Sequence, residues 1–447
     1  MSVKFNPQQE KNRLEELTLR ILERSKRIGA DGCEVGASAS VGLDVQARLG
    51  APEKLEMTRD QSLSVTVFVG ESRGSATTTD LSDAALESTL QAALAIARVT
   101  APDPAAMLAS KDQIIRDVPN LELDHPWDIS AKDALALAIE VEACGRQADP
   151  RITNSEGGSV SSTRGLSIHG TTEGLLVSQP TSVHGLSCVL LAEDGESRER
   201  SYAYTQARRP DQLLSPEAVG EEAADKTVAR LNPRKCQTAE VPVLFVPETA
   251  AGLLSSFVSA ISGGSLYRQS SYLLDRLGTQ VFPQWVTLEE TPHIPGAMGS
   301  SAYDGDGLVT RSQAFVTDGI LSSYVLSLYS ANRLGLQTTH NAGGVRNLFF
   351  QGQQDFNALI AQMGRGLIVT ELMGQGVNLV NGDYSRGASG FWVENGEIAY
   401  PVHEVTVASN LDRMLRDDLI AVGSDLDLRR SIATGSMLFE KMMVAGS

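Results

Sequence analysis

Aromatic residues are scarce, at 5% of the 447 residues, so the core has to be filled by Leu, Val, Ile and Ala rather than by large rings. Long apolar runs are missing too. Apolar stretches such as Leu135–Ile139 and Leu244–Val246 fall far short of the roughly 20 residues that cross a bilayer. The first ten residues, Met1–Glu10, hold no apolar segment of the kind that makes a secretory signal, so a cytoplasmic location with no membrane partner is expected. Clustered positive charge is equally absent. The densest basic run is Arg24-Ser25-Lys26-Arg27, followed only by pairs such as Arg208–Arg209 and Arg234–Lys235, in a chain of net charge −17. Duplex binding depends on grouped Lys and Arg that release counterions, so nucleic acid is not expected as a partner. The acidity suits a protein kept dispersed by its charge. Cys33, Cys144, Cys188 and Cys236 are widely spaced with no Cys-x-x-Cys, which points to reduced, mostly buried thiols rather than a disulfide framework or a soft-metal site.

Familiar catalytic signatures are also missing. The histidines are His125, His169, His184, His293, His340 and His403, and no two lie within a helical turn of each other, so His-Glu-x-x-His is absent. Arg386-Gly387-Ala388-Ser389-Gly390 lacks the spacing of a nucleophile elbow. No Gly-Lys-Ser/Thr occurs, and Gly263-Gly264-Ser265 follows a helix instead of opening one, which suits phosphate poorly. From these residues alone the reading ends at an acidic, two-part protein without a visible catalytic centre. An independent hydrolase using Cys188 or a serine, and a pure binding or scaffold protein, both stay open.

What is present is regular patterning. Residues 8–28 carry Leu14, Leu17, Ile21 and Ile28 near helical spacing. Glu34–Ala47 and Leu63–Phe68 alternate as strands. A helix is expected after Ser82 and another after Ser130, where Ser130-x-x-Asp133 resembles a capping box. The stretch 151–206, rich in Ser, Thr, Gly and Val, reads as antiparallel strands, and Ser215-Pro216-Glu217 opens a further helix. Leu231-Asn232-Pro233-Arg234 marks a break, which places a domain boundary between residues 1–232 and 233–447. Downstream, Val241–Val246 is a strand and Pro247-Glu248 opens a helix with Leu253, Leu254, Phe257, Val258 and Ile261 on its apolar stripe. Gly263-Gly264 is expected to end that helix as a left-handed cap. Glu394-Asn395-Gly396 between apolar runs signals a hairpin. The fold class that follows is α+β: an N-terminal α/β domain, then a mostly antiparallel, barrel-like β domain carrying one helix near its start.

Several stretches, taken in order, resemble the PmbA branch of the TldD/PmbA family, also called modulator of DNA gyrase. They are Gly74-Ser-Ala-Thr-Thr-Thr-Asp80, Arg151-Ile-Thr-Asn-Ser-Glu-Gly-Gly158, Ile261-Ser-Gly-Gly-Ser265, Thr370-Glu-Leu-Met-Gly-Gln-Gly376 and Gly382-Asp-Tyr-Ser-Arg-Gly387, the last running on into Gly390-Phe-Trp-Val-Glu-Asn-Gly396. The resemblance spans essentially the whole chain. It implies a heteromeric metalloprotease acting on unfolded peptides, in peptide-antibiotic maturation and antitoxin turnover. In such a complex a TldD-like subunit carries zinc on a His-Glu-x-x-x-His helix, with a further ligand near its C-terminus. A PmbA/TldE-like subunit pairs with it, and a homodimer in isolation is plausible. A scaffold role toward a partner such as DNA gyrase is the competing reading.

Set against that motif, Pro247 stands in the place of the first His ligand, Glu248 keeps the carboxylate, Gly252 takes the place of the second His, and Thr434 that of the further ligand. The resemblance therefore implies no metal and no cofactor in this chain, with zinc on the TldD-like partner, and no catalytic residue here beyond these vestigial positions. Substrate contact is expected at Gly374, Gln375, Gly376, Tyr384, Ser385 and Arg386, along a glycine-rich strand that could pair with an extended peptide backbone.

Overall fold

A computed structural model describes residues 5–446. The stretch Met1–Lys4, part of the segment read above for a secretory signal, lies outside them. The chain folds into two compact units, one of Met1–Leu191, Ser201–Ala224 and Ala302–Thr310, the other of Ala192–Arg200, Asp225–Ser301 and Arg311–Ser447.

In the first unit, α1 (Pro7–Arg27) starts where the Asn6 side chain accepts the Gln9 amide and Pro7 sets the first turn. Then come β1 (Gly32–Arg48), β2 (Ala51–Val69), β3 (Ser72–Thr78), α2 (Asp83–Val99), α3 (Ala131–Ala148), β4 (Ile152–Thr171), β5 (Leu176–Asp194), β6 (Ser197–Ala207) and α4 (Pro216–Ala229), of which residues 192–194, 197–200 and 225–229 belong to the second unit. The Ser82, Ser130 and Ser215 side chains accept the amides of Ala85, Asp133 and Ala218, so the caps expected at Ser130 and Ser215 form and Ser82 caps its helix in the same way. The sheet order is β3-β2-β1-β4-β5-β6. Leu14 and Ile21 of α1 and Leu86, Leu90 and Leu94 of α2 pack with Val35, Ala37, Leu63, Val65, Leu166 and Ile168 in one core. At the β1–β2 turn, Leu49 and Gly50 both take positive φ, 52° and 76°. The buried Glu142 carboxylate of α3 accepts their amides at 2.7 and 3.0 Å.

β2 is far longer than the expected Leu63–Phe68, and β3 was not foreseen. Residues 51–60 are almost entirely exposed on both faces, so no alternation marked them.

In the second unit, β7 (Ala239–Phe245) feeds α5 (Pro247–Ala260). After α6 (Gly263–Tyr267) come β8 (Leu288–Glu290), β9 (Gln313–Thr317), β10 (Ile320–Leu321), α7 (Leu328–Leu334), β11 (Leu348–Phe350), α8 (Phe356–Met363), β12 (Gly366–Met373), β13 (Asp383–Glu394), β14 (Glu397–Asn410), β15 (Leu419–Val422), β16 (Ile432–Thr434) and β17 (Met437–Ala445). The order β14-β13-β12-β7-β17 closes on itself through β14–β17 pairing into a five-stranded barrel, with β15 added beside β17. Val243, Phe245, Leu367, Val369, Val405, Val407 and Phe439 fill a core shared with Leu253, Leu254 and Phe257 of α5 and with Leu288, Phe315 and Leu348 of a second sheet, β10-β9-β8-β11-β16. Leu359, Ile360 and Met363 of α8 pack with Leu244, Ile368, Val393 and Leu438, whose side chains alternate with the barrel's core residues.

The α+β class and the barrel stand as expected, and Asn395 and Gly396 form the expected hairpin turn with φ of 54° and 76°. Two strand pairs, β7–β12 and β11–β16, are parallel. One expectation is corrected. Gly263-Gly264 is not a left-handed cap: α5 ends at Ala260, and Ile261 at φ −88° returns its amide to Phe257. Gly263 opens α6 instead. A Cβ there would lie 2.2 Å from Ser330 Oγ, so glycine serves a close approach to α7.

Candidate functional site

α5 is positioned by its flanks. Val246 precedes Pro247, whose fixed φ starts the helix, and Leu253, Leu254 and Phe257 bury its inner stripe. Phe257 meets Phe282 edge-on at 5.0 Å. The outer stripe is small and polar: Ser255, Ser256 and Ser259 donate their hydroxyls back to the carbonyls of Ala251, Gly252 and Ser255. At the helix start, Glu248 Oε1 lies 3.1 Å from Arg429 Nη2 and 3.7 Å from Lys226 Nζ. Arg429 also grips Asp427 in a fork, Nε to Oδ1 at 2.7 Å and Nη2 to Oδ2 at 2.9 Å. Burial raises the Asp427 carboxyl, but the hydrogen bonds and charge of Arg429 outweigh it and hold the group below the usual carboxylate range.

Gly252 is exposed, and a Cβ there would meet nothing within 4 Å. Thr434 is wholly buried on β16, paired with Phe350 of β11, and donates its hydroxyl to the Gly435 carbonyl. β16 packs against α5, which brings the elements carrying Thr434, Pro247, Glu248 and Gly252 together. Pro247 and Gly252 have no ligating atom, and the Thr434 hydroxyl is already engaged, so these residues do not fit a zinc ion. Among the described residues no group of three or more His, Cys, Asp or Glu side chains is gathered as a metal site.

The second set of candidates lies on the barrel. β12 continues past Met373: the Ser385 amide donates to the Gly376 carbonyl at 2.7 Å, and Val377 bridges Tyr384. A Cβ on Gly376 would sit 1.5 Å from the Ser385 carbonyl oxygen, so only glycine fits, while Gly374 takes φ +72°. Tyr384, Ser385 and Arg386 pair on their other side with Ser409, Ala408 and Val407 of β14. Both edges of β13 are therefore occupied at the candidate residues. The open edge belongs to β12, where pairing with β7 stops at Val369 and no strand lies beside Thr370–Met373 among the described residues. Tyr384 is 2% exposed and meets Phe245 edge-on at 6.3 Å, two residues before Pro247, so its ring reaches the base of α5. Burial pushes the Tyr384 phenol up to about 12, against the opposing pull of the Arg386 charge, so it remains a hydrogen-bond donor at neutral pH.

Residues 33–97, 124–231 and 238–446 match, in turn, domain 1, the central domain and the C-terminal domain of PmbA/TldA metallopeptidases. The chain is 46% identical over 418 residues, 93% of each protein, to metalloprotease PmbA of Escherichia coli O157:H7. This chain belongs to the PmbA/TldD metallopeptidase family. A more distant family member, a metalloprotease TldD homologue of Haemophilus influenzae, is 23% identical across 83% of this chain and 81% of its own length. Among solved structures, a candidate modulator of DNA gyrase from Bacteroides thetaiotaomicron superposes with a TM-score of 0.91 at 25% identity, covering 97% of this chain and 99% of that one. TldE of Thermococcus kodakarensis shares the fold at a TM-score of 0.83 and 19% identity, covering 96% of this chain and all of its own.

The sequence pattern missed Arg429 and Lys226, which pair with Glu248, and Asp427, which holds Arg429. Arg429 lies 181 residues further along the chain. No local spacing could have joined it to Glu248.

Proposed function

We propose that this PmbA/TldD-family chain is the PmbA/TldE-like, zinc-motif-lacking subunit of a cytoplasmic TldD–TldE-type metalloprotease that cleaves unfolded peptides. The observation that carries the reading is the start of α5. There Glu248 is held by Arg429 and Lys226, while Pro247, Gly252 and Thr434 offer no metal-ligand set. A general base with no metal-bound water beside it has little to act on. In this reading zinc on the TldD-like partner supplies the activated water, and this chain helps to hold the peptide. The open edge of β12 at Thr370–Met373, leading into Gly374, Gln375 and Gly376, suits backbone pairing with little regard for sequence. Tyr384, Ser385 and Arg386 lie alongside as contacts. That no described helix is long and apolar enough to cross a membrane accords with the proposed location. The division into domains 1–232 and 233–447 belongs to the same proposal.

Purified chain mixed with a TldD-like subunit should form a one-to-one heterodimer by size-exclusion chromatography with light scattering, and cleave an unfolded peptide only as that heterodimer. Substitutions along Gly374–Gly376 and Tyr384–Arg386 should impair cleavage. Unchanged cleavage across that series would remove this stretch from the peptide groove.

A further inference from the structure

Tyr384 and Arg386 stand two residues apart on β13, so their side chains leave the strand on one face. Each holds a buried donor, the Tyr384 hydroxyl and Arg386 Nε, without a hydrogen-bond partner among the described residues, and the Arg386 charge acts on the Tyr384 phenol. Among the described residues Arg386 is half-buried, takes part in no ion pair, and has its Nε buried without a partner. The buried Tyr384 hydroxyl is likewise unpartnered. Carboxylates on the adjoining segments are committed elsewhere: Glu371 to Arg230, Asp383 to Asn381 and Asn410, Glu248 to Arg429. A guanidinium partly withdrawn from water without a counter-charge is costly, and a bound anion would supply that charge. Open space lies at Gly374, which carries no side chain and where a Cβ would meet nothing within 4 Å.

We infer that Arg386 and Tyr384 on β13, one strand in from the open edge of β12, form a carboxylate-binding site, which takes the C-terminal or an acidic side-chain carboxylate of an extended peptide. The guanidinium offers a planar fork of N–H donors that matches a carboxylate, and the phenol adds a third donor from the same face. The chain's net charge of −17 repels anionic peptides in general, so a preference for them requires a local cation of this kind. The inference rests on the peptide-binding reading above and adds to it the chemical class that the site selects.

The test uses the full chain and labelled ten-residue peptides followed by fluorescence anisotropy. One pair differs only in a C-terminal acid against amide. A second, amidated pair differs only in one internal Asp against Asn. The expected result is that the charged member of one pair binds at least tenfold tighter than its neutral counterpart, the pair identifying which carboxylate is read. Arg386→Gln should erase that difference and Tyr384→Phe should reduce it at least threefold. Neither variant should lower Tm, since each removes an unsatisfied group. Equal binding of charged and neutral peptides, or a preference that survives Arg386→Gln, overturns the carboxylate site and leaves the peptide-binding reading intact. No binding of any peptide, by the chain alone or beside a TldD-like subunit, overturns both.

Discussion

Replacing Tyr384 with Phe removes a single oxygen. The ring keeps its edge-on contact with Phe245 and its burial at 2% exposure. The hydroxyl that is lost has no hydrogen-bond partner among the described residues. A buried polar group without a partner costs about 1–3 kcal/mol, so its deletion should stabilise the C-terminal unit by roughly 1–2 kcal/mol. For a unit of this size that is a rise in Tm of roughly 2–8 °C. Tyr324 in the same unit supplies the control. It is 6% exposed, its hydroxyl donates to the Leu273 carbonyl at 3.1 Å, and it accepts the Arg276 amide at 3.2 Å. Tyr324→Phe orphans both backbone groups and should cost about 1–2 kcal/mol, lowering Tm by a comparable amount. Differential scanning calorimetry on the two variants and the parent reads both signs at once. A drop in Tm for Tyr384→Phe as large as that for Tyr324→Phe would refute the reasoning, because it would mean that the Tyr384 hydroxyl is satisfied within the free protein.

Other outcomes follow from the same geometry. Gly252→Ala, on an exposed helical position where a Cβ meets nothing, should stabilise by about 0.5–1 kcal/mol in urea unfolding. Gly376→Ala, whose Cβ would press on the Ser385 carbonyl, should destabilise by about 3 kcal/mol or more, or fail to yield folded protein. Glu142→Ala strips the acceptor from the Leu49 and Gly50 amides and should cost about 2–4 kcal/mol, with faster hydrogen exchange at that turn. The folded Asp427 carboxyl titrates below its unfolded value of about 3.9, so its contribution is present above that pH and fades as pH falls through the folded value. Asp427→Asn should therefore narrow the difference between unfolding midpoints at pH 7 and pH 3, and an unchanged difference would contradict the Arg429 pairing.

Much of the architecture was legible where one face is buried and the other wet. The stripes of α1 and α2, the alternation of β1, the serine caps and the Asn395-Gly396 turn all carry local signals. What escaped the sequence lacked such signals. The first half of β2 is exposed on both faces, so its pairing with β1 leaves no pattern. The short helices α7 and α8, with seven and eight residues, offer too few turns for a period to show. Gly263 was misread because glycine marks both positive φ and close approach, and only the position of Ser330 separates them. At the candidate site the order of motifs led to the family, but the ion pairs around Glu248 join segments far apart in sequence. The closed edges of β13 likewise depend on β14 and on the turn after Gly376, so the sequence could point to the stretch without showing that the free edge is on β12.

The central claim is that this chain serves a metalloprotease without holding its metal. The direct test is zinc content by mass spectrometry together with peptide cleavage, measured on the purified chain and then on the chain mixed with a TldD-like subunit. The account predicts no stoichiometric zinc and no cleavage for the chain alone, and chelator-sensitive cleavage in the mixture. Stoichiometric zinc in the isolated chain, or cleavage by it without the partner, would contradict the account and place a catalytic site outside Pro247, Glu248, Gly252 and Thr434.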